Sequence, residues 1–392
     1  MSEVTDTPNQ QRHWKDPHRY RWLNGLGVPL LPFVTWGLVA ATGWNALWWM
    51  GPMWIFVLMP LLDTVRGLDK TNAPDWATEQ LAGDRYYRYA VYAFLPLQAL
   101  SFVWGAWYVA SHQMSAVSYL GLSLTIGLVA GIAINTAHEL GHKREKVERR
   151  LSKWALAQTG YGHFYVEHNR GHHSRVATPE DPASSRLGES FWAFWPRTVA
   201  GSLTSAWEIE VAALVRKGLP WWSPRNNILN AWAITVVAFA AMILLFGPVV
   251  IPYLLIQAVF GFSLLEVVNY IEHYGLLRQK LPNGRYERCM PEHSWNADNI
   301  ASNLVLYNLQ RHSDHHAYPL RRYQVLRHFD EAPQLPSGYA GMITLAIVPP
   351  AWRRVMDPRV VAHYDGDVTR ANIQPSKRER ILSRYGASYG AS

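Results

Sequence analysis

A chain of 392 residues with 49% apolar side chains, 37 Lys and Arg against 29 Asp and Glu, and a single cysteine has room for two soluble domains or one polytopic membrane protein. Its one thiol, Cys289, excludes a disulfide framework, a Cys-ligated zinc ribbon and any iron–sulfur module that needs four thiolates. The mean hydropathy of −0.11 looks soluble only because it pools long apolar runs with very polar stretches.

Residues 1–22 form a polar N-terminal segment with Arg12, Lys15, Asp16, Arg19 and Arg21. It holds no short apolar run with a cleavage site, so no secretory signal is expected and the first apolar span directs insertion. Residues 23–137 contain four apolar stretches, approximately Leu23–Thr42, Trp44–Leu62, Tyr89–Ala110 and Ala116–Ala137. Each is close to the roughly 20 residues that cross a hydrocarbon core of ~30 Å. Residues 138–227 are polar and histidine-rich. Within them Phe191–Leu214 is Trp-rich but interrupted by Arg197, Glu208 and Glu210, a pattern that fits an amphipathic helix lying at the interface. Two further spans, Ile228–Phe246 and Val249–Tyr270, fill residues 228–270. In the region 271–380, Tyr339–Val348 is a short apolar piece between prolines, read as interfacial or buried. Residues 381–392 are rich in small residues and read as a flexible tail or linker.

Lys and Arg are absent from Trp22 to Leu62, from Tyr89 to His142 and from Asn226 to Leu277. All of them therefore fall in four pieces that six spans place on one face. By the positive-inside tendency that face, with both termini, is cytoplasmic. The expectation is an all-α polytopic protein: six transmembrane helices in a bacterial inner membrane, and a cytoplasmic helical cap. No nucleic-acid partner is expected.

Nine of the 16 histidines cluster. His138 and His142 sit where span four leaves the membrane, His168, His172 and His173 follow in the polar segment, His273 comes just after span six, and His312, His315 and His316 lie near the C-terminus. Residues four apart share a helix face, so His138/His142, His168/His172 and His312/His316 can each present two imidazoles to one point. Adjacent histidines diverge by about 100° and serve two centres better than one. Nine imidazoles exceed the six positions of one octahedral ion, so two metals is the economical count. Imidazole alone does not choose between zinc, copper, iron and nickel. Glu139, Glu167, Glu272 and Asp314, each next to a candidate ligand, are placed to accept its distal ring N–H, and Asn269 lies on the stripe leading to His273. His138-Glu139-Leu140-Gly141-His142 also fits a zinc-protease motif, but that reading leaves seven clustered histidines unused. His13, His18, His112, His163, His293, His328 and His363 lack partners at ligand spacing. Glu266, inside span six, is costly there and marks a functional or paired group; its role stays open.

The three boxes His138–His142, His168–His173 and His312–His316 together resemble the pattern of membrane fatty-acid desaturases, hydroxylases and alkane hydroxylases. The strings Asn269–Leu276 and Leu309–Ala317 are similar to the alkane monooxygenase branch, which also includes xylene monooxygenase. The resemblance implies two iron ions held by the nine histidines, O2 as cosubstrate and reduced rubredoxin as electron donor. It further implies hydroxylation of the terminal methyl of medium-chain n-alkanes to primary alcohols.

No side-chain acid, base or nucleophile attacks an unactivated C–H bond, so the oxidising power must be a cofactor's. An alkane partitions into lipid, which favours lateral access from the bilayer into a tunnel between spans. Burial from lipid gains little, so tunnel depth rather than affinity selects chain length. Trp54, Ile55 and Leu58 are the candidate plugs. Electrons come from outside, because the chain has neither a thiolate cluster nor a Gly-rich dinucleotide fingerprint. A net charge of +8 favours an acidic soluble donor, separate or fused after residue 392. The rival readings are a desaturase or fatty-acid hydroxylase, a xylene-type methyl monooxygenase and, more remotely, a metal transporter or metal-binding membrane protein, whose site would lie near the midplane.

Overall fold

A long apolar run in hydrocarbon must satisfy its own backbone groups, and a helix does so without outside partners. The computed structural model describes residues 14–386; the first thirteen, Arg12 and His13 among them, and residues 387–392 of the expected tail lie outside the described residues. In chain order the main helices are α1 (Arg19–Thr42), α2 (Asn45–Arg66), α3 (Arg85–Ser111), α4 (Ala116–Gly141), α5 (Lys146–Ala157), α6 (Phe191–Val215), α7 (Asn227–Phe246), α8 (Pro248–Glu272), α9 (Ile300–Val305), α10 (His312–Ala317), α11 (Tyr339–Ala346) and α12 (Pro349–His363). Six of them, α1 to α4, α7 and α8, are long and apolar enough to cross a membrane. Among the described residues β-structure is limited to isolated bridges, so the protein is all-α. Each observed span covers its expected one within about a residue and mostly continues beyond it, because helical hydrogen bonding carries on into the polar residues that end an apolar run.

The central element is α4, buried along nearly its whole length. It approaches α8 through small residues: a Cβ on Gly127 would lie 3.0 Å from the Gln257 carbonyl, and one on Gly131 would lie 3.1 Å from that of Gly261. Such positions let two backbones pack closely where water supplies no driving force. On its other side α4 meets α2, where Thr125 accepts the Gly51 N–H at 2.9 Å and donates to the Trp48 carbonyl at 2.7 Å. The outer spans show the opposite character, with Val237, Leu244 and Leu245 of α7 broadly exposed, as lipid contact requires.

The polar segments pack as a cap over the ends of α4 and α8. Asp63 at the end of α2 accepts the backbone N–H and hydroxyl of Ser302 on α9 at 2.8 and 2.5 Å. Arg322 pairs with Glu148 of α5 at 2.9 Å. The helix α6 runs unbroken through Pro196, and two of its three charges turn inward rather than interrupting it: Arg197 binds Glu189 at 2.8 Å, and Glu210 binds Arg170 at 2.6 Å. Tyr339, Ala340, Met342 and Ile343 of α11 are buried. The expected flexible tail begins too early at residue 381, since a helix spans Arg378–Tyr385 and buries Ile381. An apolar side chain with a partner surface holds that turn in place.

Candidate metal centre

The nine clustered histidines converge at the cap-side ends of α4 and α8. They form two groups, His138, His142, His168, His173 and His315 in one, and His172, His273, His312 and His316 in the other, with ligand-capable nitrogens within 4.8 Å of one another in each. Four stretches of chain supply them. The end of α4 gives His138 and His142, α10 gives His312, His315 and His316, and the residue closing α8 gives His273. The fourth gives His168, His172 and His173: a π-helical turn, Glu167–His172, and the residue that follows it. A π-turn bonds residue i to i+5 rather than i+4, so His168 meets His173, with Nε2 atoms 3.1 Å apart. The expected His168/His172 pair is thereby split between the groups. The adjacent pairs His172-His173 and His315-His316 are divided between groups, as expected.

The arrangement fits metal ions. Two nitrogens each about 2.1 Å from one ion lie roughly 3.0–3.4 Å apart at octahedral or tetrahedral angles. The Nε2 atoms of His173 and His315 are 3.1 Å apart, those of His172 and His316 3.3 Å, and those of His312 and His316 2.9 Å. The Nε2 atoms of His138, His142 and His273 are buried with no hydrogen-bond partner among the described residues, a costly condition unless another electrophile takes the lone pair. Burial, then repulsion from neighbouring imidazoles, pushes His142, His168, His173, His312, His315 and His316 well below the ordinary histidine value. The same causes bring His273 to about 3. These rings are therefore neutral at physiological pH, the form that binds a cation.

Carboxylates stand by the group of four. Asp181 Oδ2 lies 2.9 Å from His172 Nδ1 and accepts the Ser184 hydroxyl at 2.6 Å. Burial opposes its charge, but His172 and Ser184 outweigh burial and hold it down to about 2. Glu272 Oε2 is 3.1 Å from His312 Nε2, and its other oxygen accepts from Tyr339 at 3.0 Å.

A narrow apolar cavity of about 60 Å³ runs from Trp54, Ile55 and Met59 on α2, between α4 and α8, to His138, His168 and His312. It thus ends against both groups. A second π-turn, Trp54–Leu58, shapes the end far from the histidines: Met59, five residues after Trp54, lines the cavity in place of Leu58. Leu58 is 37% exposed and faces outward, so it is no plug.

Comparison with known proteins bears on what such a centre does. The family model described as Fatty acid desaturase matches residues 114–346, a stretch containing all nine histidines. The alkane 1-monooxygenase of Acinetobacter baylyi is 48% identical over 95% of this chain and 92% of its own length. Alkane 1-monooxygenase 1 of Alcanivorax borkumensis is 45% identical over 98% and 97%. The chain belongs to the alkane 1-monooxygenase family. A more distant relative is the xylene/toluene monooxygenase hydroxylase component of Pseudomonas putida, 26% identical over 67% of this chain and 69% of its own. Family membership makes the chain a multi-pass membrane monooxygenase acting on alkanes, in keeping with an apolar cavity that leads to a metal centre.

Within this alkane 1-monooxygenase framework, the expected supporting carboxylates divide. Glu272 reaches a histidine of the group of four, but at His312 Nε2, the atom turned towards His316, rather than at the distal Nδ1 behind it. Glu139 instead pairs with Lys143 at 3.1 Å, Glu167 with Arg175 at 2.8 Å, and Asp314 with Arg321 at 2.5 Å. Glu139 and Asp314 lie next to ligands on helices, where neighbours diverge by about 100°, and all three turn to nearby cations. Asn269 bonds Glu266 rather than a histidine. Asp181 was missed. Its signal is the turn-rich Thr178-Pro179-Glu180-Asp181-Pro182, which folds back on the preceding box. His293 contributes its backbone carbonyl, 3.2 Å from His273 Nδ1, while its ring binds Glu287. Glu266 is paired: it accepts from Tyr161 at 2.7 Å, Thr198 at 2.9 Å and Asn269 at 3.2 Å.

Proposed function

We propose that this protein hydroxylates the terminal methyl of medium-length n-alkanes to primary alcohols at two iron ions, one in each histidine group. O2 is the oxidant and reduced rubredoxin the electron donor. The observation that carries this reading is the apolar cavity closing on His138, His168 and His312, since it gives the end of a hydrocarbon chain an apolar path to both histidine groups. Bound iron would supply the oxidising power drawn from O2, which no side chain possesses. The chain's own residues do the rest. Leu264, Val268, Val305 and Leu309 exclude water and align the methyl end, and Trp54 and Ile55 set how deep a chain can reach.

Access from lipid is supported by an open apolar groove of about 790 Å³ between α6, α8 and α11, lined by Trp192, Trp195, Leu255 and Val259. It shares Leu264 and Ile343 with the inner cavity. The charge gaps support an inner-membrane protein whose cap, drawn from residues 138–227 and 271–380, faces the cytoplasm. That basic face suits an acidic soluble donor, and turnover should fall with rising salt.

The test is metal analysis of the purified protein together with product identification by gas chromatography, using reduced rubredoxin and a panel of octane, dodecane and an acyl thioester. Two irons per chain and 1-alkanols are expected. Zinc, a single ion, or product from the acyl thioester alone would sink the reading. Trp54→Ala should lengthen the longest alkane accepted, whereas Leu58→Ala should leave it unchanged.

A further inference from the structure

An n-alkane has no hydrogen-bonding group, so a polar atom left open in its cavity serves something else. Five polar side chains besides the histidines line the cavity: Asn135, Asn269, Glu272, Ser302 and Tyr339. Each of their donor groups is engaged, the two amides through one N–H apiece. Ser302 donates its hydroxyl to Asp63, Tyr339 to Glu272, and the amide nitrogens of Asn135 and Asn269 donate to the Leu306 carbonyl at 2.7 Å and to Glu266 at 3.2 Å. Glu272 is committed as well, between Tyr339 and His312. What remains is two carboxamide oxygens, on Asn135 of α4 and Asn269 of α8, with no hydrogen-bond partner among the described residues. Both side chains are more than nine-tenths buried. Their orientation is fixed, because each amide nitrogen already has its acceptor.

Two acceptors without donors in a dry, apolar cavity are costly. Of the molecules admitted or formed there, the alkane and O2 have no O–H, whereas the primary alcohol and the coproduct water do; of those two, only the alcohol also brings a chain that fills the apolar walls. We infer that Asn135 and Asn269 form a subsite for the hydroxyl of the product, with Glu266 as the positioning residue that keeps the Asn269 oxygen turned inward. This rests on the alkane-hydroxylating reading above. It assigns the buried Glu266, Tyr161 and Thr198 cluster a purpose: two hydroxyl donors fasten one carboxylate, which then holds one amide. The subsite prefers a hydroxyl donor over an isosteric acceptor, because only a donor satisfies its open oxygens.

The experiment compares inhibitors of octane hydroxylation by the iron-loaded enzyme in membranes, at equal concentrations in the lipid. 1-Octanol should inhibit about ten-fold more strongly than 1-methoxyheptane, the effect of roughly one neutral hydrogen bond. Asn269→Leu and Asn135→Leu should each remove most of that preference, read as the ratio of alcohol to ether inhibition within the same variant. Glu266→Gln releases the Asn269 amide to turn its nitrogen inward, so inhibition by the ether should strengthen relative to the alcohol. Equal inhibition by alcohol and ether in the unaltered enzyme would overturn the proposal without any variant. So would an undiminished preference in both leucine variants that retain their iron. Absence of octanol from octane would instead defeat the underlying functional reading.

Discussion

The two histidine groups differ in number and in surroundings. The group of five consists of imidazoles alone, from the end of α4, the π-turn and α10. The group of four has one ligand fewer, but it takes both carboxylates, Asp181 on His172 and Glu272 against His312. A cation needs either more donors or more nearby negative charge, and here each group has one of the two. The centre is thus asymmetric in charge although its ligands are all of one kind.

The sharpest way to break that comparison is to remove one ligand from each side. His316→Ala reduces four ligands to three and should empty its group and abolish octanol formation. His142→Ala leaves four and should retain part of its metal while also losing activity. Equal metal loss on the two sides, measured as iron per chain, would show that ligand number does not distinguish them. A smaller effect is expected of Asp181→Asn, which keeps the shape and removes the charge behind His172. Metal affinity or activity should drop about 10- to 100-fold, with loss confined to one ion per chain. Glu139→Gln is its counterpart on the other side. Glu139 pairs with Lys143 and touches no histidine, so iron content should not change.

The smallest effect concerns His163, which belongs to neither group. Burial brings it to about 4, and its Nε2 has no hydrogen-bond partner among the described residues. A base whose folded value lies below its unfolded one binds more protons when unfolded. Its contribution is intact above the ordinary value near 6.5 and is lost as pH falls towards 4. The loss should approach roughly 3 kcal/mol below that range. The pH dependence of thermal inactivation should be shallower in His163→Gln over this window; identical slopes would refute the assignment.

The spans and the nine converging histidines were legible because apolar length, charge gaps and clustered imidazoles are local signals. What failed was local too, in one particular way. His168/His172 and Trp54/Leu58 each assume an α-helical register, and in both places a π-turn replaces i+4 with i+5: His173 joins His168, and Met59 joins Trp54. Nothing in the residue types marks the wider turn. Carboxylates adjacent to the histidines in sequence are pointed away from them where the chain is helical, as Glu139 and Asp314 are. Glu272 stays near the centre because α8 ends there and His273 leaves the helix, at φ −127°, but it meets His312 at Nε2 rather than from behind. Asp181 reaches His172 from nine residues further along, across a turn.

Each group draws on three separate stretches of chain, and the π-turn and α10 contribute to both. Filling either therefore stitches together segments that the bilayer-crossing helices only bring near one another, and closing such long loops adds to the stability of the folded cap. An ion once seated can leave only by releasing several strands of polypeptide together. The finished enzyme should hold its iron as a fixture of its architecture, exchanging it over the lifetime of the fold rather than of a catalytic cycle.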